Sequence, residues 1–393
     1  MEYYKQFYGG ECTMTKDKEV QIGLCFLIII IIILIIVALF AGNTAQTTVI
    51  LPDCGSNCGG YEWSGSTLLI TKPGEYAFSA NVPGDISIEV QSTGVTLDGS
   101  GVTLLHGILG QPDLDLKNVT IYVDDPDFSD SAITECRNIE NSSIVITSGN
   151  VVAGIGAVYG NIDDTTSITV MGRDRAFGVY EVYGTISGGT FTVTGENIAS
   201  AVDQVSDGGI ISGGTFTVTG ENTAAGVGQV YGTISGGTFT MTGGDGAAGV
   251  LDAYGTISGG LFTVMGEDFA SAVDQVSGTI SGGIFAATGN RAAGVGTVSD
   301  GGTISGATFT VNGNTSTGVN QVMDGGTISD GTFTVTGGLA AGVLDVSGII
   351  SDGTFIVNGN NAGGVYQVMD GGTISGGTFT VNGKSVIVTG KVV

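Results

Sequence analysis

The sequence predicts an all-β chain: a single parallel β-helix of about 13 coils of 22–25 residues, preceded by one transmembrane helix. Three observations carry this. A phrase of the form Thr-Ile-Ser-Gly-Gly-Thr-Phe-Thr-Val-Thr-Gly recurs nine times between Thr185 and Gly383. Its phenylalanines (Phe191, Phe216, Phe239, Phe262, Phe285, Phe309, Phe333, Phe355 and Phe379) are 25, 23, 23, 23, 24, 24, 22 and 24 residues apart. Ahead of the repeats, twenty uncharged residues run from Ile22 to Ala41.

Residues 1–20 are polar, with Lys5, Lys16 and Lys18. Residues 21–42 are long enough to span a bilayer core, whereas the apolar core of a secretory signal is only about 7–15 residues. Asn43-Thr44-Ala45 is also a poor cleavage site, so the segment reads as an uncleaved signal anchor, with a cleaved signal as the alternative. Lysines on its amino side alone place the N-terminus in the cytoplasm and the long domain outside the cell membrane. Met14 is an alternative start that would shorten the cytoplasmic segment.

Residues 43–60 form a spacer holding Cys54 and Cys58. Outside the cell this pair is a candidate local disulfide. A zinc site would need two further ligands, and the chain has one histidine, His106. Cys136 is expected to be a small buried residue without a special role.

Residues 61–184 are expected to form irregular N-terminal coils and a cap. The Phe ladder extends backwards through Ile168, Ile144, Val119 and Val95 at gaps of 23, 24, 25 and 24 residues. The stretches Ala153 to Val158 and Phe177 to Val182 match the phrase that follows each Phe strand, and Asp124 to Asp130 reads as an acidic loop.

Residues 185–393 are the regular repeats. Phe191 and Val193 alternate with Thr190, Thr192 and Thr194, the period-2 pattern of a half-buried strand. Helical repeats are excluded by this period and by the Gly and Thr content. A propeller blade needs about 40 residues, which excludes that architecture. Ile186 and its counterparts form a second ladder, and Val202 and Val205 open two more. Like side chains stacked at one phase are what a parallel β-helix buries. The glycine four residues after each Phe, Gly195 through Gly383, suggests a corner with positive φ, and the Gly-Gly pair before each strand a second corner.

Composition narrows the function. With a formal charge of −26 and 11 Lys plus Arg, the chain would repel nucleic acid. Its apolar residues are too well phased for a disordered Gly-rich chain.

The stretches Ile70 to Phe78, Ile86 to Val90 and Gly94 to Leu104 resemble, over about 40 residues, the opening coils of the pectin-lyase-like right-handed parallel β-helices. The resemblance is closest to the carbohydrate-binding and sugar-hydrolase (CASH) domains of archaeal and bacterial surface proteins. It implies a right-handed helix, an N-terminal cap and an exported protein. It implies no particular activity, because enzymes and structural rods share that fold.

Lyases of the superfamily pair acidic calcium ligands with a basic residue, and its polygalacturonases combine Asp pairs with Gly-His-Gly. Here Asp124-Asp125, Asp163-Asp164 and Leu105-His106-Gly107 are fragments of such patterns, and no catalytic, cofactor or metal residue is assigned. Asp207, Asp300, Asp324 and Asp370 before Gly-Gly read as turns, since they miss the calcium-binding nonapeptide. Thr192, Thr217, Thr240, Thr263, Thr310, Thr334 and Thr380 form a candidate lateral Thr face, similar to the ice-binding face of some β-solenoids, though Thr is also simply a favoured strand residue. Asn118, Asn141 and Asn314 lie in candidate glycosylation sequons.

The expected function is a non-enzymatic, adhesin-like or envelope-structural rod of an archaeal or bacterial surface, held in the membrane by Ile22 to Ala41 and presenting its side to glycans or neighbouring copies. The alternative is a carbohydrate-active enzyme with its site on the irregular coils near Arg137, Arg173 or Arg175. Self-assembly is a variant of the first reading, since the sequence shows no obvious polar cap after the last coil.

Overall fold

The computed structural model describes residues 49–51, 59–78, 81–82, 86–388 and 390–391. It divides the chain into residues 1–47 and 48–393. The apolar segment and the Cys54/Cys58 pair lie outside the described residues. Among the described residues no helix is long and apolar enough to cross a membrane.

The second unit is a parallel β-solenoid of about 13 coils. Three strands make one regular coil, as in Thr185–Ile186, Thr190–Gly195 and Ile198–Val205. The short strands stack into one sheet and the other two into a second. In four later coils the second and third strands fuse, for example in Ile284–Val298 and Thr308–Val322.

Pairing is in register, so identical side chains meet. Phe191 lies on Phe216, Phe216 on Phe239, and so on to Phe379. Successive rings stack with centroids 4.4–4.8 Å apart. That is the spacing of hydrogen-bonded strands, so the backbone ladder sets the stacking period. The Ile and Val ladders are buried with them, except that Val365 and Val368 are only partly so, and together they fill the interior.

The early ladder differs from the expected one. Ile144 pairs with Ile121 rather than Val119, and Ile121 with Leu104. Val95 belongs to the other sheet, paired with Gly74. Val119, Ile121 and Val123 alternate on one face, and a slip of two residues keeps that face inward, so spacing alone does not choose among them. The Ile ladder runs back instead through Ile162, Ile139, Leu116, Leu97 and Tyr76. The two stretches matching the second phrase do pair as expected, Ala153 with Phe177 and Phe177 with Ser200.

The glycines also divide differently. Positive φ falls on the second glycine of each pair, such as Gly214 (100°) and Gly260 (100°), with Ala307 taking that place once at an ordinary φ. Of the series four residues after Phe, only Gly383 has positive φ. Gly195, Gly220, Gly243 and Gly266 stand where the corner closes on itself: a Cβ on Gly243 would lie 1.9 Å from the Gly246 carbonyl oxygen, and one on Gly266 1.8 Å from that of Phe269, whereas one on Gly289, Gly313 or Gly359 would press on the glycine oxygen of the preceding coil.

Both ends are covered. Tyr61–Ser64 runs antiparallel to Thr67–Ile70, and the buried Tyr76 hydroxyl donates to the Gly60 or Lys72 carbonyl oxygen, at 3.0 and 2.9 Å. After the last coil, Lys384–Val386 pairs antiparallel with Thr378–Val381 and Gly390–Lys391 with Thr373–Ile374, while Val388 packs on the core. This corrects the expectation of an uncapped end. A reversed strand carrying Lys384 is a poor template for another sheet. A chain ended at Val381 is therefore expected to associate in a concentration-dependent way by light scattering, while the full chain shows no such dependence.

Candidate functional site

The sequence-predicted candidates occupy distinct places. The Thr column is real in register, from Thr192 through Thr217, Thr240 and Thr263 to Thr380, broken by Ala286 and Ile356. Its flanking columns carry exposed Leu261, Met265 and Ile284, so complete Thr-x-Thr-x-Thr rows occur only at Thr190, Thr215, Thr238 and Thr332.

Asn118 and Asn141 are corner residues with φ of 54° and 44°. Their amides form a ladder: Asn141 donates to the Asn118 side chain at 2.6 Å, and Asn118 to Asp98 at 3.0 Å. Attachment of a glycan at either nitrogen would replace one of the two hydrogens on which the ladder draws. Asn314 is exposed.

The acid pairs are engaged within a turn or with the next coil. Asp163 accepts from Thr165 and Thr166, and Asp124 from Thr147 and Ser148. The Asp207, Asp300, Asp324 and Asp370 corners are β-turns closed by bonds such as Gly209 N–H to the Ser206 carbonyl, 2.8 Å. No group of His, Cys, Asp and Glu able to hold a metal occurs among the described residues.

Arg137 is tied to Asp115, its Nε donating at 2.9 Å. Arg173 shares a shallow hollow of about 400 Å3 with Glu196 and Glu221, both exposed on successive corners. Cys136 is fully buried, and desolvation pushes its thiol up to about 12, which keeps it protonated and inert.

A further concavity lies on the regular coils. The third strand of each coil buries Val202 and Val205, three residues apart, instead of alternating strictly. On the outer side of this strand a groove runs across successive coils. Its floor is the column Ala225, Ala248, Ser271, Ala293 and Thr317. The deepest part encloses about 630 Å3, from the coil of Thr223 to the coil of Leu344. Five coil steps make it roughly 24 Å long.

One wall holds Phe269, half exposed, with the Arg291 guanidinium 3.4 Å above its ring centroid. Among the described residues no ion pair or hydrogen bond engages that guanidinium. The opposite wall holds Leu251, Asp274, Asn320 and Leu344. Asp274 is exposed; desolvation, and secondarily the Asp252 charge, raise its pKa. It leans over Gly296, where a Cβ would lie 2.7 Å from its Oδ1.

Asp203 occupies the same column one motif earlier, over Gly228, and desolvation likewise raises its pKa despite Arg175. Both sit in an identical Ala-Ser-Ala-Val-Asp-Gln-Val segment, 71 residues apart. The exposed tyrosines follow the same three-coil beat: Tyr159 stacks on Tyr183 at 4.9 Å and Tyr231 on Tyr254 at 5.0 Å, with Ser206 and Ser277 interrupting. Comparing residues three coils apart would have exposed this outward period, which the one-coil core period masks. The two aspartates stand about 14 Å apart. Glycosidic hydrolysis by paired carboxylates needs about 5–9.5 Å, so they are not such a pair.

Fold and groove together define a parallel β-solenoid with an axial groove on its regular coils. No family model matches the chain, and no curated protein or solved structure matches it significantly.

Proposed function

We propose that this chain is a non-enzymatic surface rod, anchored in the cell membrane by residues 22–41 with its β-helix outside, that binds glycans along its side. It would act as an adhesin-like or envelope-structural element, and its first coils would be of the pectin-lyase-like, CASH type. The observation that carries this reading is the axial groove: an extended, partly apolar trough with scattered hydrogen-bonding groups and widely separated carboxylates. Such a surface suits holding a chain molecule more than cutting one. The acidity of the chain fits a solvated exterior, and the covered ends favour a discrete rod over an open polymer.

The test is a glycan array with the full chain in mild detergent, run beside reducing-sugar and unsaturated-product release on the same polysaccharides. Binding without release supports the reading. Release would instead direct attention to the enzyme alternative and to Arg173 with Glu196 and Glu221. Protease digestion of intact cells that spares the β-helix would overturn the proposed orientation.

A further inference from the structure

We propose that the groove at Phe269 is the glycan subsite, and that it takes an uncharged pyranose chain rather than a polyanion; this rests on the glycan-binding reading above. The Phe269 ring lies across the helix axis, because Arg291, its register partner in the next coil, covers one face. Its other face looks toward the preceding coil, where the partner is Gly246. A Cβ on Gly246 would meet only the Phe269 Cβ, at 4.0 Å. In the same column Ile198, Leu339 and Phe269 itself carry large side chains, so the space over Gly246 is a gap in an otherwise filled row. Thr223 bounds it one coil further on, leaving roughly two coil spacings, about 9.6 Å, between that residue and the ring. An apolar ring face open to a slot of this depth, with polar groups around it, fits the flat C–H face of a sugar.

The polar groups select charge. Asp274 and Asp345 line the groove against the single Arg291, within a chain of net charge −26. A polyuronate would be repelled, while the carboxylates can accept hydroxyl protons and the unpaired guanidinium can donate to hydroxyl or ring oxygens. The floor at Ala248 carries no long side chain to block a sugar ring entering the slot beside Phe269.

The test uses the full chain and titrates neutral gluco-, manno- and galacto-oligosaccharides, tetramers to hexamers, with polygalacturonate as the anionic comparison. Gly246→Phe fills the slot with a side chain the column already tolerates. It should leave the β-sheet circular dichroism and unfolding midpoint unchanged or raised, yet weaken neutral-glycan binding at least tenfold. Phe269→Ala should weaken it similarly and Phe269→Tyr should restore it, while Thr240→Glu on the Thr column should leave it unchanged. Neutral-glycan binding that survives Gly246→Phe would overturn the groove assignment but keep the broader reading. Tighter binding of polygalacturonate would overturn the ligand class. No binding by the unaltered chain would bring down both.

Discussion

Replacing Phe262 with alanine is expected to lower the unfolding free energy by about 3–5 kcal/mol. The ring is fully buried and stacks 4.5 Å from Phe239 and 4.8 Å from Phe285. Removing it takes a partner from both neighbours at once. The void has little means of closing, because the strands above and below are pinned at ladder spacing over six paired residues on one side and five on the other. Phe269, seven residues later, is the internal control. It is half exposed and keeps the Arg291 contact, so Phe269→Ala should cost about 1 kcal/mol. Urea unfolding of the three proteins measures the contrast. Equal losses at the two positions would mean that the Phe column is not the continuous core described above. A solenoid is quasi-one-dimensional, so hydrogen exchange should show the loss concentrated in the coils around residue 262.

Much of this core was legible because it repeats. A buried Phe at one phase of every coil has few interpretations once the flanking residues alternate with period 2. Legibility failed where repetition failed or misled. Between Val95 and Ile144 the coils vary in length, and alternating apolar residues offered several equivalent ladders, so strand pairing rather than spacing chose Ile121 and Leu104. The C-terminal cap was missed because a reversed strand has no counterpart in the repeats to be compared with. The groove was hidden for a different reason. It arises from a column of small residues, Ala225, Ala248 and Ala293 among them, that lines up across coils as a floor, and from the side-chain gap at Gly246, whose meaning depends on Phe269 in the next coil. Neither is a motif along the chain; both are relations across coils.

The glycines show the same limit and supply the second large effect. Gly243→Ala is expected to cost about 3 kcal/mol or more, at or beyond the upper end for overpacking. Its φ is not in the left-handed region, so backbone preference predicts little penalty. The obstacle is the Gly246 carbonyl oxygen, 1.9 Å from the added Cβ. That oxygen belongs to the backbone of the corner, so relief requires moving the third strand away from the second. The same corner recurs at Gly220, 2.1 Å from the Thr223 oxygen, and at Gly266. Gly246→Ala, three residues along, meets nothing closer than 4.0 Å and should be neutral or stabilising by about 0.4–1 kcal/mol, through the reduced freedom of the unfolded chain. Thermal or urea unfolding of this pair separates the two explanations for an invariant glycine in the repeat. If Gly243→Ala is as mild as Gly246→Ala, the corner has slack and the close approach does not account for the glycine. If it is severe, the glycine marks where two strands of one coil come closest.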